Sequence, residues 1–198
     1  RDTRDSALVT STGRVLRANG EWSAGGDLGY ARATMQYQQF YPWSKKTTLA
    51  FNSELSSGVS TNGQTYPVMK NYYSGGLGSV RGFQQGSLTT ASQRSLIDSS
   101  AYSVATGGAT KLVLNAEVLT PFPGGGNDRT LRMYGFADAG GLYGPDASIG
   151  LDELRSSVGL GISWISPVGP LRLAWAKPLS SLYGDKLQSL QFQIGTSF

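Results

Sequence analysis

The sequence contains no cysteine and no histidine. A disulfide framework, a zinc finger, a cysteine nucleophile, a histidine general base and a Ser-His-Asp triad are therefore all excluded. The missing cysteine says little about compartment, but it suits a secreted or envelope protein. Charge is scarce as well. Asp, Glu, Lys and Arg make up 15% of the 198 residues, against about 25% in soluble domains. The 17 basic and 13 acidic residues leave a net charge of +4, and Lys45-Lys46 is the only adjacent basic pair. A nucleic-acid face would cluster such residues, so no nucleic-acid partner is expected. Long hydrophobic runs are missing too. None approaches the roughly 20 residues of a membrane-spanning helix, which excludes helical spans and leaves strands open. The chain opens RDTRDS, with neither an initiator Met nor an apolar leader, and reads as a mature form or a fragment.

What the sequence does contain is glycine, aromatics and alternation. There are 27 glycines, about twice the usual share of roughly 7%. Apolar residues recur with period two, the strand signature. Leu112, Leu114, Ala116 and Val118 alternate with Val113, Asn115 and Glu117. Leu131, Met133, Gly135 and Ala137 alternate with Arg132, Tyr134, Phe136 and Asp138. The same rhythm runs through Val158–Trp164, Leu171–Trp175 and Leu190–Phe198. Eight strands are expected, at about 14–22, 28–41, 47–56, 110–120, 130–139, 155–166, 171–179 and 188–198. Most are longer than the 5–6 residues usual in soluble sheets and match the roughly 9–11 of a tilted transmembrane strand.

The polar half of each alternation holds Glu, Asp, Arg, Asn and Gln among small residues, which suits a crowded lumen. The connections 42–46, 121–129 and 167–170 are tight, while 57–109 and 140–154 are longer. Alternating short turns and longer outer loops is the habit of outer-membrane barrels. Trp22, Tyr41, Trp43, Trp164 and Phe198 fall near strand ends, where interfacial aromatics sit. The expected fold is therefore an all-β, transmembrane antiparallel barrel. A soluble sandwich with one wet face is the alternative.

Residues 57–109 form a connection too long to be structureless inside a compact domain. Its middle, NYYSGGLGSVRGFQQG, sets Tyr72, Tyr73, Val80 and Phe83 among glycines, as a segment that packs back onto protein would. A guanidinium at Arg81 would then need carboxylates, and the lumen face of the next two strands offers Glu117 and Asp138. The alternative is three solvated charges. An eight-stranded barrel is filled by its own side chains. If the loop goes inside, the chain forms about half of a larger wall, and the abrupt RDTRD start fits a cut near a preceding strand.

Other chemistries are weakly signalled. Glu54, Glu117, Asp138, Asp152 and Glu153 could suggest only glycosidase-like pairs, and their spacing demands none. GGLGSVRGF lacks the strand–turn–helix context of a dinucleotide site. No enzyme activity, cofactor or metal is expected.

Several stretches carry a resemblance: NYYSGGLGSVRGF at 71–83, NAEVLTPFP at 115–123, GFADAGGLY at 135–143, ISPVGPLRLAWAKPL at 165–179 and YGDKLQSLQFQIGTSF at 183–198. The chain resembles the carboxy-terminal half of the BamA family of Gram-negative outer-membrane barrel assembly factors, within a superfamily that includes TamA and two-partner secretion transporters such as FhaC. The match is weakest over 1–30. The resemblance implies that 1–198 is the carboxy-terminal part of a 16-stranded barrel in the bacterial outer membrane. Its other half and a periplasmic POTRA arm lie outside this chain. It implies a loop motif at Val80, Arg81, Gly82 and Phe83 held inside the lumen, with Arg81 paired to Glu117 and Asp138. It implies assembly and insertion of other barrels through a weak seam bordered by the last strand. That terminal strand carries Leu190, Phe192, Ile194 and the aromatic end Phe198, which with neighbouring interface residues would mismatch or thin the adjacent bilayer, and Gly195 interrupts the strand and permits a kink. Its partners would be nascent outer-membrane proteins, accessory assembly lipoproteins and outer-membrane lipid. The alternative function is a polypeptide-secreting pore of the TamA or two-partner secretion type.

Overall fold

The computed structural model describes residues 1–23, 29–97, 105–124, 130–145, 147–167 and 169–195. Its strands are β1 Gly13–Ser23, β2 Tyr30–Pro42, β3 Thr48–Ser60, β4 Gly82–Phe83, β5 Thr110–Pro121, β6 Leu131–Tyr143, β7 Arg155–Ser166, β8 Gly169–Ser180, β9 Leu187–Gln188 and β10 Leu190–Ile194. One helix, α1 Ala91–Ile97, lies in the long connection. The eight longer strands form a single antiparallel sheet in the order β1-β2-β3-β5-β6-β7-β8-β10, and β4 with β9 forms a separate two-stranded ribbon. The strands before and after the long connection, β3 and β5, are direct neighbours with Asn52 opposite Asn115. Residues 1–3 lie along part of the β1 edge, bridging Asp2 to Val15.

The alternation divides the sheet into two unlike faces. One carries Met35, Phe51, Leu55, Leu114, Val118, Leu160, Trp164, Leu173, Trp175, Leu190, Phe192 and Ile194, all exposed. An apolar face this extensive is not a surface for water; it is the lipid-facing side of a membrane sheet. No helix among the described residues is long and apolar enough to cross a membrane. The other face carries Gln36, Asn52, Glu54, Asn115, Glu117, Asp138, Arg172 and Gln191, in register across the strands.

The long connection covers this inner face, and the buried apolar groups lie where it lands. Val80, Phe83, Leu88 and Leu142 pack together with Tyr72 against them. Tyr134, Phe136, Ala174 and Ala176 form a second cluster, flanked by Leu77 and Leu119. Tyr30, Tyr66 and Ala109 form a third. Room for the two rings of β6 comes from β7. A Cβ at Gly159 would lie 2.5 Å from Phe136, and one at Gly161 would lie 2.3 Å from Tyr134.

Three expectations are corrected. The strand expected at 130–139 continues to Tyr143, so the connection after it starts four residues later. The third strand continues to Ser60, so the long connection starts four residues later than the sequence predicts. The last strand is not continuous over 188–198. Residues 187–188 leave the wall to pair with Gly82–Phe83, and among the described residues 190–194 pair with β8. Period two survives such a break, because each half alternates on its own; what diverts 187–188 is a partner distant in sequence. Gly195, at φ +92°, directly follows Ile194, and its N–H bonds Pro170 O at 2.7 Å. The expected interruption of the strand at this glycine turns on 196–198, which lie outside the described residues, Phe198 among them.

Candidate functional site

The connection can approach the wall closely because of where its glycines fall. Gly82 has φ +89°, which a side chain rarely adopts, and a Cβ there would sit 3.2 Å from Pro178 and 3.3 Å from Ala176. This contact seats the preceding residue, Arg81, over the inner faces of β5 and β6.

The Arg81 side chain is 2% exposed and that of Asp138 is 0% exposed. The guanidinium grips Asp138 in a fork, with Nε to Oδ2 at 2.7 Å and Nη2 to Oδ1 at 2.6 Å. The Arg81 backbone N–H adds a third bond to Oδ2 at 3.0 Å. Nη1 donates to Glu117 Oε1 at 2.5 Å. The guanidinium carbon Cζ lies over the Phe136 ring, 3.7 Å from its centroid, so one group grips a carboxylate bidentately and covers an aromatic face, as arginine can and lysine cannot. Burial alone would push the Arg81 pKa down. The Asp138 hydrogen bonds and the Glu117 and Asp138 charges outweigh it and raise the pKa above the ordinary arginine value.

The clasp extends sideways. Arg172 of β8 shares Glu117, with Nη2 3.1 Å from Oε1. Asn115 donates through Nδ2 to Asp138 Oδ1 at 2.8 Å and to Ser79 O at 2.7 Å. Asn52 donates to Asn115 Oδ1 at 2.8 Å, and Gln36 to Asn52 Oδ1 at 3.0 Å. One polar chain thus runs from β2 through β3, β5 and β6 to the loop.

Two further anchors hold the same connection. Near β1 and β2, Glu21 accepts from Lys70 Nζ at 2.5 Å and Arg32 Nε at 2.7 Å, and also from the Tyr30 hydroxyl. Near the opposite edge, Arg155 and Asp185 form a second buried ion pair, with Nη2 to Oδ1 at 2.8 Å, and the same Nη2 donates to Thr89 O at 2.8 Å. Buried pairs of this kind add little net stability, but removing one partner strands a charge.

The ribbon links the loop to the end of the chain. Gly82 pairs with Gln188 and Phe83 with Leu187. The inward side chain of Gln191, 4% exposed, accepts from Gly82 N–H at 3.3 Å and donates to Phe83 O at 2.6 Å. Val80 and Phe83 are fully buried, while Leu190, Phe192 and Ile194 face outward, away from the clasp. The structure therefore brings Val80, Arg81, Gly82, Phe83, Glu117 and Asp138 together. Arg172, Asn115, Arg155, Asp185 and Gln191 were not singled out from the sequence. All but Asp185 are polar residues on the inward half of a strand alternation, which was the available signal; Asp185 had none. Among the described residues no group of three or more Asp and Glu side chains is arranged to hold a metal.

The whole chain, residues 1–198, matches the family described as the Omp85 superfamily domain. It is 34% identical to the outer membrane protein assembly factor BamA of Neisseria meningitidis serogroup B, over 100% of this chain and 28% of that protein. It is 29% identical to BamA of Nitratidesulfovibrio vulgaris, over 98% of this chain and 24% of that protein. The chain thus spans about a quarter of the length of these relatives. The crystal structure of BamA from Haemophilus ducreyi lacking POTRA domains 1–3 superposes with a TM-score of 0.82 at 22% identity, over 96% of this chain and 39% of that chain, so the two share a fold.

Proposed function

This chain belongs to the Omp85 superfamily, and from that premise we propose that it is the carboxy-terminal part of an outer-membrane barrel wall that assembles and inserts other β-barrel proteins. In this reading residues 1–198 supply about half of a 16-stranded barrel, and the last strand borders the seam where a client strand is received. The clients are nascent outer-membrane proteins, and the natural setting includes outer-membrane lipid and accessory assembly lipoproteins.

One observation carries the reading. In a sheet with a lipid-facing apolar surface, β10 pairs with β8 over five of the described residues and the strand's preceding residues 187–188 turn to the loop; in this reading its other edge meets the first strand of the barrel, outside this chain, at a weak seam. Unpaired N–H and C=O groups template a further strand. In hydrocarbon they must be satisfied within protein, so a client strand added to this edge removes a cost carried by both chains. Burial of the client's own apolar surface supplies the driving force. The role calls for no catalytic group, nucleotide or metal. The Arg81 clasp serves it by keeping the inner face rigid beside an edge that must stay available.

The test uses the full-length protein in liposomes with an unfolded outer-membrane barrel as client. The native protein should accelerate client folding, and Arg81→Ala and Asp138→Lys should abolish the acceleration or the barrel itself. Normal client folding by both variants would overturn the clasp's part in the role. Export of a soluble passenger with single-channel conductance, and no client folding, would instead identify a secretion pore.

A further inference from the structure

The last strand is held by two different partners, and the handover between them is marked. On the wall side, Leu190–Ile194 pairs with Leu171–Trp175 of β8. On the loop side, Leu187 and Gln188 pair with Phe83 and Gly82, and Gln84 N–H bonds Lys186 O at 2.8 Å. Between them, Ser189 O accepts from Ala176 N–H at 2.8 Å, the last such bond before the chain leaves the wall. Ala176 N–H and Pro170 O both bond toward the last strand, so the even-numbered residues of β8 direct their backbone groups to that side. The next even-numbered position is Pro178. Proline has no N–H, so the departure of 187–188 leaves no orphaned donor there. The Pro178 ring instead receives Gly82.

Gln191 joins the two halves. It belongs by its backbone to the wall strand, opposite Ala174. By its side chain it belongs to the loop, presenting one donor and one acceptor to the Phe83 carbonyl and the Gly82 amide. A primary amide is the side-chain copy of a peptide group, so Gln191 completes the β4–β9 ribbon as a third rung where the backbone has already turned away. The loop is fixed to β5 and β6 by the Arg81 clasp and cannot follow β10 outward.

We propose that Gln191 is a positioning residue for the templating edge: it latches β10 to the clasped loop and holds the short last strand in register on β8. This rests on the assembly reading for its purpose, but not for its measurement. A strand held on β8 over these five positions and bordering a weak seam would otherwise fray, and a frayed edge has no defined register to offer a client.

The experiment measures amide hydrogen exchange by mass spectrometry on the full-length protein in nanodiscs. Gln191→Leu should raise exchange over 190–194 by about tenfold, the effect of losing a paired donor and acceptor, while the centre of β5 stays protected. The chain has no cysteine, and Gln84 and Lys186 are exposed and bonded across the ribbon. A Gln84→Cys/Lys186→Cys disulfide should therefore restore slow exchange to Gln191→Leu when oxidised and lose it when reduced. A merely bulky filler at 191 would not respond to that switch. Exchange over 190–194 within about twofold of native in Gln191→Leu, or no response to the disulfide, would overturn the latch. If Gln191→Leu yields no folded barrel, the disulfide in the native background decides: slower exchange on oxidation supports the latch and unchanged exchange overturns it. Client folding is measured in parallel. A responsive latch in a native protein that folds no client rejects the assembly reading alone, and client folding with an unresponsive β10 rejects the latch alone.

Discussion

Arg81 holds its charge where a charge by itself could not stay. Its side chain and that of Asp138 are both out of solvent, and each satisfies the other along two parallel bonds. Arg81→Ala should therefore cost about 3–5 kcal/mol, because it leaves the Asp138 carboxylate buried and unpaired. Arg81→Lys should recover little of this. A single ammonium cannot meet the Asp138 fork, reach Glu117 and stack on Phe136 together. Both are read as the urea midpoint for loss of the folded barrel in the full-length protein; a native midpoint for the lysine variant would mean that the fork geometry is unimportant. The types and order of these residues were legible in the sequence: an arginine among glycines, followed by an inward carboxylate on each of the next two strands. The sharing of Glu117 with Arg172 was not, because β8 reaches Glu117 only through the curvature of the assembled sheet and the register of three intervening strand pairs.

At the scale of single strands, β7 shows how one element shapes another. Its inward Gly159 and Gly161 leave the hollow that Phe136 and Tyr134 fill, and those rings floor the Arg81 site. Gly161→Ala should destabilise by about 1–3 kcal/mol through overpacking, since its Cβ meets both Tyr134 and the Leu173 carbonyl. Gly135→Ala, on the outward face of β6, is the control. Its nearest contact would be an ordinary 3.5 Å to Leu160, and it should change stability by less than about 0.5 kcal/mol. Equal effects in the same urea titration would show that backbone flexibility, not space for the rings, is what these glycines provide. Strand extent followed closely from alternation in β5, β7 and β8, whereas β6 runs four residues past the expected end at 139. It failed at the last strand, where 187–188 and 190–194 alternate alike but pair with different partners.

At the scale of the whole molecule, all four tryptophans are exposed: Trp22, Trp43, Trp164 and Trp175. Trp175 sits mid-strand between Leu160 and Leu190, whereas Trp22 lies at the end of β1 and Trp43 in the β2–β3 turn. In reconstituted full-length protein, variants keeping one of these tryptophans should be quenched by brominated lipids in a depth-dependent way. Bromine near the bilayer centre should quench Trp175 most, and bromine near the headgroups should quench Trp22 and Trp43 most. Absence of quenching at Trp175 would place the apolar face against protein instead of lipid.

The sequence alone determined the wall strands before the last, their two faces and which charged residues were available for the central clasp. Period-two alternation reports directly which side chains share a face, and a charge between apolar walls announces its need for partners. Only the tertiary structure decided that the long connection crosses the inner face on three anchors, that Arg155 closes on Asp185, and that the last strand divides its bonds between wall and loop. Those outcomes depend on contacts between residues far apart in the chain, where spacing carries no information and only the assembled register brings donor to acceptor.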